Sequence, residues 1–228
     1  MTMTQNIDPT ARPKTYSAQN PMNLVVLLSG GGRTLENIQQ EINAGRLHAR
    51  ISLVISSSPK AFGIQRSANL GLKCVTVSRK DYSSPQAYAD AIWPMIRQAG
   101  ADLVCLAGFL CLLPIPDDMA QRVINIHPAL LPAFGGHGMY GHHVHEAVLA
   151  AGCKISGCTV HLADNTYDTG AIIVQRSCPV YDTDTPDTLA ARVFEQECIA
   201  FPEALKLFEQ GRVSFDGRIA RIRPVAQA

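Results

Sequence analysis

Four short and almost unbroken apolar runs constrain the fold of this chain more than any other feature. They are NLVVLLS (23–29), ISLVISS (51–57), ADLVCLAG (101–108) and RVINIHP (122–128). A strand with one wet face alternates apolar and polar residues. A run without alternation needs apolar cover on both faces. KCVTVS (73–78) reads as a further strand. Helical segments lie between the runs. TLENIQQEINAG places Leu35, Ile38 and Ile42 near helical spacing, with Gly45 as a stop. FGIQRSANLG ends at Gly71, and PQAYADAIWPMIRQAG carries Pro94, which predicts a kink. Strand and helix alternate with short connections, which predicts a parallel, doubly wound sheet.

The second half departs from this rhythm. CKISGCTVHLAD (153–164) and AIIVQRSCPVY (171–181) flank the turn NTYDTG, so they can pair antiparallel. HHVHEAVLAAG reads as a helix, and a long helix from 185 to 211 closes the core. The expected class is α/β, with a Rossmann-like N-terminal half continuing into a single mixed, mostly parallel sheet flanked by helices. The expected boundaries are a flexible N-terminal extension over 1–21 and one domain over 22–228. The segment after Val213 adds at most a strand.

The formal net charge is +1, so no charge field advertises a nucleic-acid or membrane partner. A small anion remains possible, because it needs only a local site. Residues 1–21 are rich in Thr, Gln, Asn and Pro and lack the apolar core of a signal peptide. Nowhere is an apolar run long enough to span a bilayer. Seven cysteines are scattered with no C-x-x-C pair, which reads as a reduced, cytoplasmic protein.

Gly30, Gly31 and Gly32 join the first strand to the first helix. Free backbone N–H groups and the helix dipole there suit a phosphate, with Arg33 and Thr34 adding a charge and a hydroxyl. A tight turn that merely needs glycine explains the run equally well. A dinucleotide fingerprint fails, because the third glycine position is Leu35 and the second strand ends in ISSSP without an acid. A P-loop fails too, because no Lys-Ser or Lys-Thr pair follows.

His127, His137, His142, His143 and His145 fall within 19 consecutive positions. His142 and His145 are three apart on a predicted helix, a workable zinc pair, but there is no H-E-x-x-H and no cysteine in the loop. No metal is expected. Asn125 and His127 stand two apart on one strand, so their side chains leave on the same face. They lie at its carboxyl end, where open α/β sheets bind ligands. An amide donor beside an imidazole can stabilise an oxyanion and donate a proton. Asp168 is a candidate partner that would raise the histidine pKa. The alternative is a core histidine and a turn-forming aspartate.

INIHPALLP, GCTVHLADNTYDTGAIIVQ, LAGFLCLLP and RVFEQE together resemble the folate-dependent formyltransferases, and within them the phosphoribosylglycinamide formyltransferase branch. The resemblance runs from about Met22 to about Gly211. It implies formyl transfer from 10-formyltetrahydrofolate, a co-substrate, to the amino group of glycinamide ribonucleotide in purine biosynthesis. It implies His127 as proton donor, Asn125 at the formyl oxygen and Asp168 as the group that raises the histidine pKa. Gly32, Arg33 and Thr34 match the phosphate-binding positions, where GRT replaces the more familiar Gly-Ser-Asn. Glu197 matches a glutamate that helps bind the ribonucleotide. Leu110, Cys111, Leu112 and Leu113 match the segment lining the pterin pocket, although many relatives carry arginine at the position of Cys111. The turn Asp164, Asn165, Thr166, Tyr167 and Asp168 should complete that pocket. An arginine that some relatives place near the folate tail has no counterpart around Ser84–Gln86. The implied partners are small molecules, and the chain is expected as a monomer or homodimer.

Three other readings compete. Formyltetrahydrofolate hydrolases share the catalytic core but usually carry an N-terminal regulatory domain and a second histidine where this chain has Pro128. Methionyl-tRNA formyltransferases are longer and add a nucleic-acid-binding domain. A non-catalytic nucleotide-binding Rossmann-like protein would have no need of Asn125, His127 and Asp168 together.

Overall fold

A computed structural model describes residues 14–224. Strands β1 (Met22–Leu28), β2 (Ala49–Ser56), β3 (Cys74–Thr76), β4 (Leu103–Leu106), β5 (Val123–His127), β6 (Ile155–Leu162) and β7 (Ile172–Pro179) form one sheet. Its order is β3-β2-β1-β4-β5-β6-β7. The pairs among β1 to β5 are parallel, while β6 runs antiparallel to β5 and β7 antiparallel to β6. The helices are α1 (Arg33–Asn43), α2 (Gly63–Asn69), α3 (Pro85–Gln98), α4 (His142–Ala150) and α5 (Pro186–Glu209). The expected mixed, mostly parallel α/β sheet is what forms. Helix α3 continues through Pro94 as one element.

Every residue of β1 is buried. Met22, Leu24, Val26 and Leu28 face a core shared with α1, α4 and α5. Val25 and Leu27 face a second core shared with α3. Successive side chains of a strand point to opposite faces, so a continuous apolar run is what a doubly covered strand requires. The chain steps from β1 out to β2 and β3, then re-enters on the other side of β1 as β4. The loops leaving the carboxyl ends of β1 and β4 therefore diverge and open a crevice.

Helix ends follow their local chemistry. Ser84 accepts the Ala87 N–H at the start of α3. Thr185 and Thr188 cap one another reciprocally at the start of α5, with Pro186 in its first turn. By contrast, Gly32 precedes α1 with no side-chain cap, which leaves the first N–H groups of that helix free of a capping side chain.

Two termini differ from expectation. The proposed extension 1–21 lies partly outside the described residues, at 1–13. Residues 14–21 are not loose: the Tyr16 N–H donates to the Glu209 carbonyl at 2.9 Å, and Lys14 pairs with Asp102. After α5, β8 (Val213–Asp216) and β9 (Ile219–Ile222) pair with each other as a separate hairpin. Val213, Phe215 and Ala220 pack it onto the core, and Arg218 at its turn donates to the Thr169 carbonyl at 2.6 Å. No helix among the described residues is long and apolar enough to cross a membrane.

The β6–β7 pairing depends on a glycine. A Cβ on Gly157 would lie 2.0 Å from the Arg176 carbonyl oxygen and 2.9 Å from the Ser177 Cα. Both are backbone atoms of β7 and cannot rotate away. Gly157→Ala is expected to lower stability by about 2–3 kcal/mol and Tm by roughly 5–10 °C. Thermal unfolding reads this, and an unchanged Tm would contradict the packing.

Candidate active site

A cavity of about 580 Å³ opens at the carboxyl ends of β1, β4 and β5. It crosses the rim of the sheet. On the side of the α1, α4 and α5 core its wall holds Arg33, Thr34, His142, His145, Phe194 and Glu197. On the side of the α3 core it holds Phe109, Cys111, Leu112, Leu113, Ile115 and Tyr167. Asn125, His127 and Asp168 line it between the two walls.

His127 ends β5 and is 3% exposed. Its Nε2–H donates to the Phe134 carbonyl at 2.7 Å, and its Nδ1 faces the Asp168 carboxylate at 3.5 Å. A carbonyl only accepts, so the proton on Nε2 follows from the partner. Asp168 also accepts from the Gly136 N–H at 2.9 Å and from the Asn125 amide at 3.5 Å. The Asn125 amide donates to His161 Nε2 at 3.0 Å, while His161 Nδ1–H donates to the Leu162 carbonyl at 2.9 Å. Strand pairing causes this meeting, because Asn125 stands directly opposite His161 across β5 and β6. Phe134 and Asp168 both adopt left-handed backbone, with φ of 54° and 58°. A Cβ on Gly135 would lie 2.5 Å from a Leu131 methyl and 3.2 Å from the Asp168 Cβ.

Burial pushes the His127 pKa down, and this outweighs the Asp168 charge and the Phe134 hydrogen bond, which raise it. Asp168 therefore acts with the expected sign, and burial sets the net direction. Burial pushes the Asp168 carboxyl up, but its neighbours His161, His127 and the Gly136 N–H together hold it below the usual range. Two groups this close titrate as a pair.

The formyl transferase family profile matches residues 22–205. The chain belongs to the formyl transferase family. It is 39% identical over 208 residues to the trifunctional purine biosynthetic protein adenosine-3 of Drosophila melanogaster, covering 88% of this chain and 15% of that protein. It thus spans a small part of that relative's length. It is 31% identical to the phosphoribosylglycinamide formyltransferase of Haemophilus influenzae, covering 86% of this chain and 92% of that protein. Among solved structures it resembles glycinamide ribonucleotide transformylase 1 from Symbiobacterium toebii, with TM-score 0.83 and 36% identity. That match covers 89% of this chain and 94% of the other.

In this formyl transferase family member the residues expected at the site lie mostly on one cavity. Gly32, Arg33, Thr34 and Glu197 line it, as do Leu110 to Leu113, Asp164, Thr166, Tyr167 and Asp168. Asn165 does not. Its Oδ1 accepts the Ile115 N–H at 2.7 Å and ties the 164–168 turn to the opposite loop. Gly32 has φ 74°, and a Cβ there would come within 2.7 Å of the Gly63 Cα. The glycine is therefore required by close approach to α2, whatever it binds. Arg33 lies over the Phe194 ring at 3.9 Å. Cys111 packs against the α3 core, and burial pushes its thiol up, so it behaves as an apolar filler.

The histidine cluster disperses. His137 meets the Tyr167 ring edge-on, His142 lies 3.4 Å from Asp187, and His143 contacts Glu146 and the Tyr140 ring. Among the described residues no three His, Cys, Asp or Glu side chains converge as a metal group. Sequence reasoning left His161 and Phe194 without a role. The register of β6 against β5 exposes the first, and the helical offset from Glu197 exposes the second.

Glu197 is half-buried, and burial pushes its carboxyl up to about 7, with Arg33 pulling the other way. The folded chain therefore holds a proton that the unfolded chain releases at the ordinary value of 4.5. Stability from this group is complete below that ordinary value and is lost as pH rises through about 7. Glu197→Gln stays neutral and should remove this loss, narrowing the Tm difference between about pH 5 and about pH 8. Calorimetry at the two pH values checks it, and a widened difference would contradict it.

Proposed function

We propose that the chain transfers the formyl group of 10-formyltetrahydrofolate to the amino group of glycinamide ribonucleotide. The observation that carries this reading is the convergence of Asn125, His127 and Asp168 on one buried point between two chemically different cavity walls. The wall of Leu112, Leu113, Ile115 and Tyr167 suits a flat heteroaromatic donor. The opposite wall offers Arg33, the free N–H groups of α1 and Glu197, which suit a phosphate and a sugar.

The chemistry follows from charge development. The acceptor amine attacks the formyl carbon, and negative charge grows on the formyl oxygen. The Asn125 amide and a protonated His127 stabilise that charge. The amine loses a proton, the bond from carbon to the folate nitrogen breaks, and that nitrogen gains a proton. The His127–Asp168 pair holds the proton that moves between these positions. Asp168 compensates a cationic His127, which burial alone disfavours. In this reading Thr34 and Gly32 serve the phosphate, and Leu110, Cys111, Asp164, Asn165 and Thr166 frame the donor pocket. Every residue invoked comes from one chain, so a monomer and a homodimer serve equally. A cytoplasmic setting and no nucleic-acid partner accord with the seven free thiols and the near-neutral charge. His137, His142 and His143 have separate partners, and no three candidate ligands converge among the described residues, so the reading assigns them no metal.

The test is turnover with both substrates. His127→Ala, Asp168→Asn and Asn125→Ala should each lower kcat by about 10²–10⁴-fold while circular dichroism stays unchanged. Near-normal turnover in either of the first two variants would sink the assignment. Folate release without ribonucleotide would instead identify a hydrolase. Chelation should leave turnover unchanged, and a stoichiometric tightly bound metal would overturn the metal-free reading.

A further inference from the structure

His145 has no part in the chemistry above. It lies in α4 between Val144 and Val148, whose side chains enter the core, and three residues after His142 on the same helix face. Both histidines line the cavity. His145 is 5% exposed, and its Nδ1 has no hydrogen-bond partner among the described residues. The other two buried histidines are served: His127 by Phe134 and Asp168, His161 by Leu162 and Asn125. A buried polar nitrogen without a partner is costly, and native folds rarely keep one without a use. Leucine would fill this helix face without that cost.

The wall on which His145 sits belongs to the α1, α4 and α5 side, with Arg33 and Glu197. We propose that His145 is a specificity-determining residue for the acceptor, its imidazole hydrogen-bonding a neutral polar group of the ribonucleotide, an amide or a hydroxyl. This rests on the acceptor assignment made above. Burial, with the nearby His142 and His127 charges, lowers the His145 pKa to about 4. At neutral pH the ring is therefore uncharged and offers one donor and one acceptor. That suits an amide or hydroxyl, whereas the phosphate has Arg33 and the α1 N-terminus.

Steady-state kinetics on wild type, His145→Leu, His145→Asn and His145→Gln, with each substrate varied in turn, test the inference. His145→Leu should raise the ribonucleotide KM about 10-fold, as one lost hydrogen bond does, with the folate KM unchanged. His145→Asn, with its shorter reach, should do the same if the leucine variant fails to fold. His145→Gln should recover part of the loss. An unchanged ribonucleotide KM in the leucine or asparagine variant, or an equal rise for both substrates, overturns the role of His145 alone. A wild type that turns over no ribonucleotide overturns the acceptor assignment as well.

Discussion

The Asp168 carboxylate is the charge around which the site is built. Its side chain is only 9% exposed, and an uncompensated carboxylate at that depth would be strongly unfavourable. Compensation comes from β5 through Asn125 and His127 and from the loop after β5 through the Gly136 N–H, while His161 of β6 holds the Asn125 amide in place. Satisfying one buried charge therefore fixes three segments relative to one another. The left-handed backbone at Phe134 and Asp168 and the missing side chain at Gly135 belong to the same arrangement. Each lets the loop and the turn approach closely enough to share that carboxylate. Such backbone is held in place by its surroundings.

What the sequence made legible follows the range of the forces involved. Buried strands announce themselves, because a strand covered on both faces must be apolar at successive positions, as β1 is. The pairing of Asn125 with His127 on one face follows from a period of two. The opposition of Asn125 and His161 does not, because it depends on which strand lies beside β5, a tertiary choice made 36 residues downstream. The sign of the His127 shift was equally hidden. A neighbouring carboxylate is readable from a motif, whereas burial of the ring is a property of the whole fold. The second strand after α5, which completes a hairpin, and the docking of Tyr16 were missed for a related reason. Both segments are short, and what orders them is contact with the core.

The dispersal of the histidines makes the same point about local and global information. Five histidines in 19 positions invite a single explanation. In the fold one ends a strand, three lie on exposed surfaces with partners of their own, and His145 turns inward. Proximity along the chain says little where a loop and a helix start separate neighbouring side chains.

The sheet itself acts as a partition. One cavity wall is an outgrowth of the core beneath α1, α4 and α5, the other of the core beneath α3, and the carboxyl ends of β4 and β5 belong to both. Volume can be added to or removed from either wall by repacking the core behind it, with the other core left intact. Under the proposed reaction, preference for a donor and preference for an acceptor would be separately adjustable, and the ends of β4 and β5 that the walls share are the part that tolerates least change.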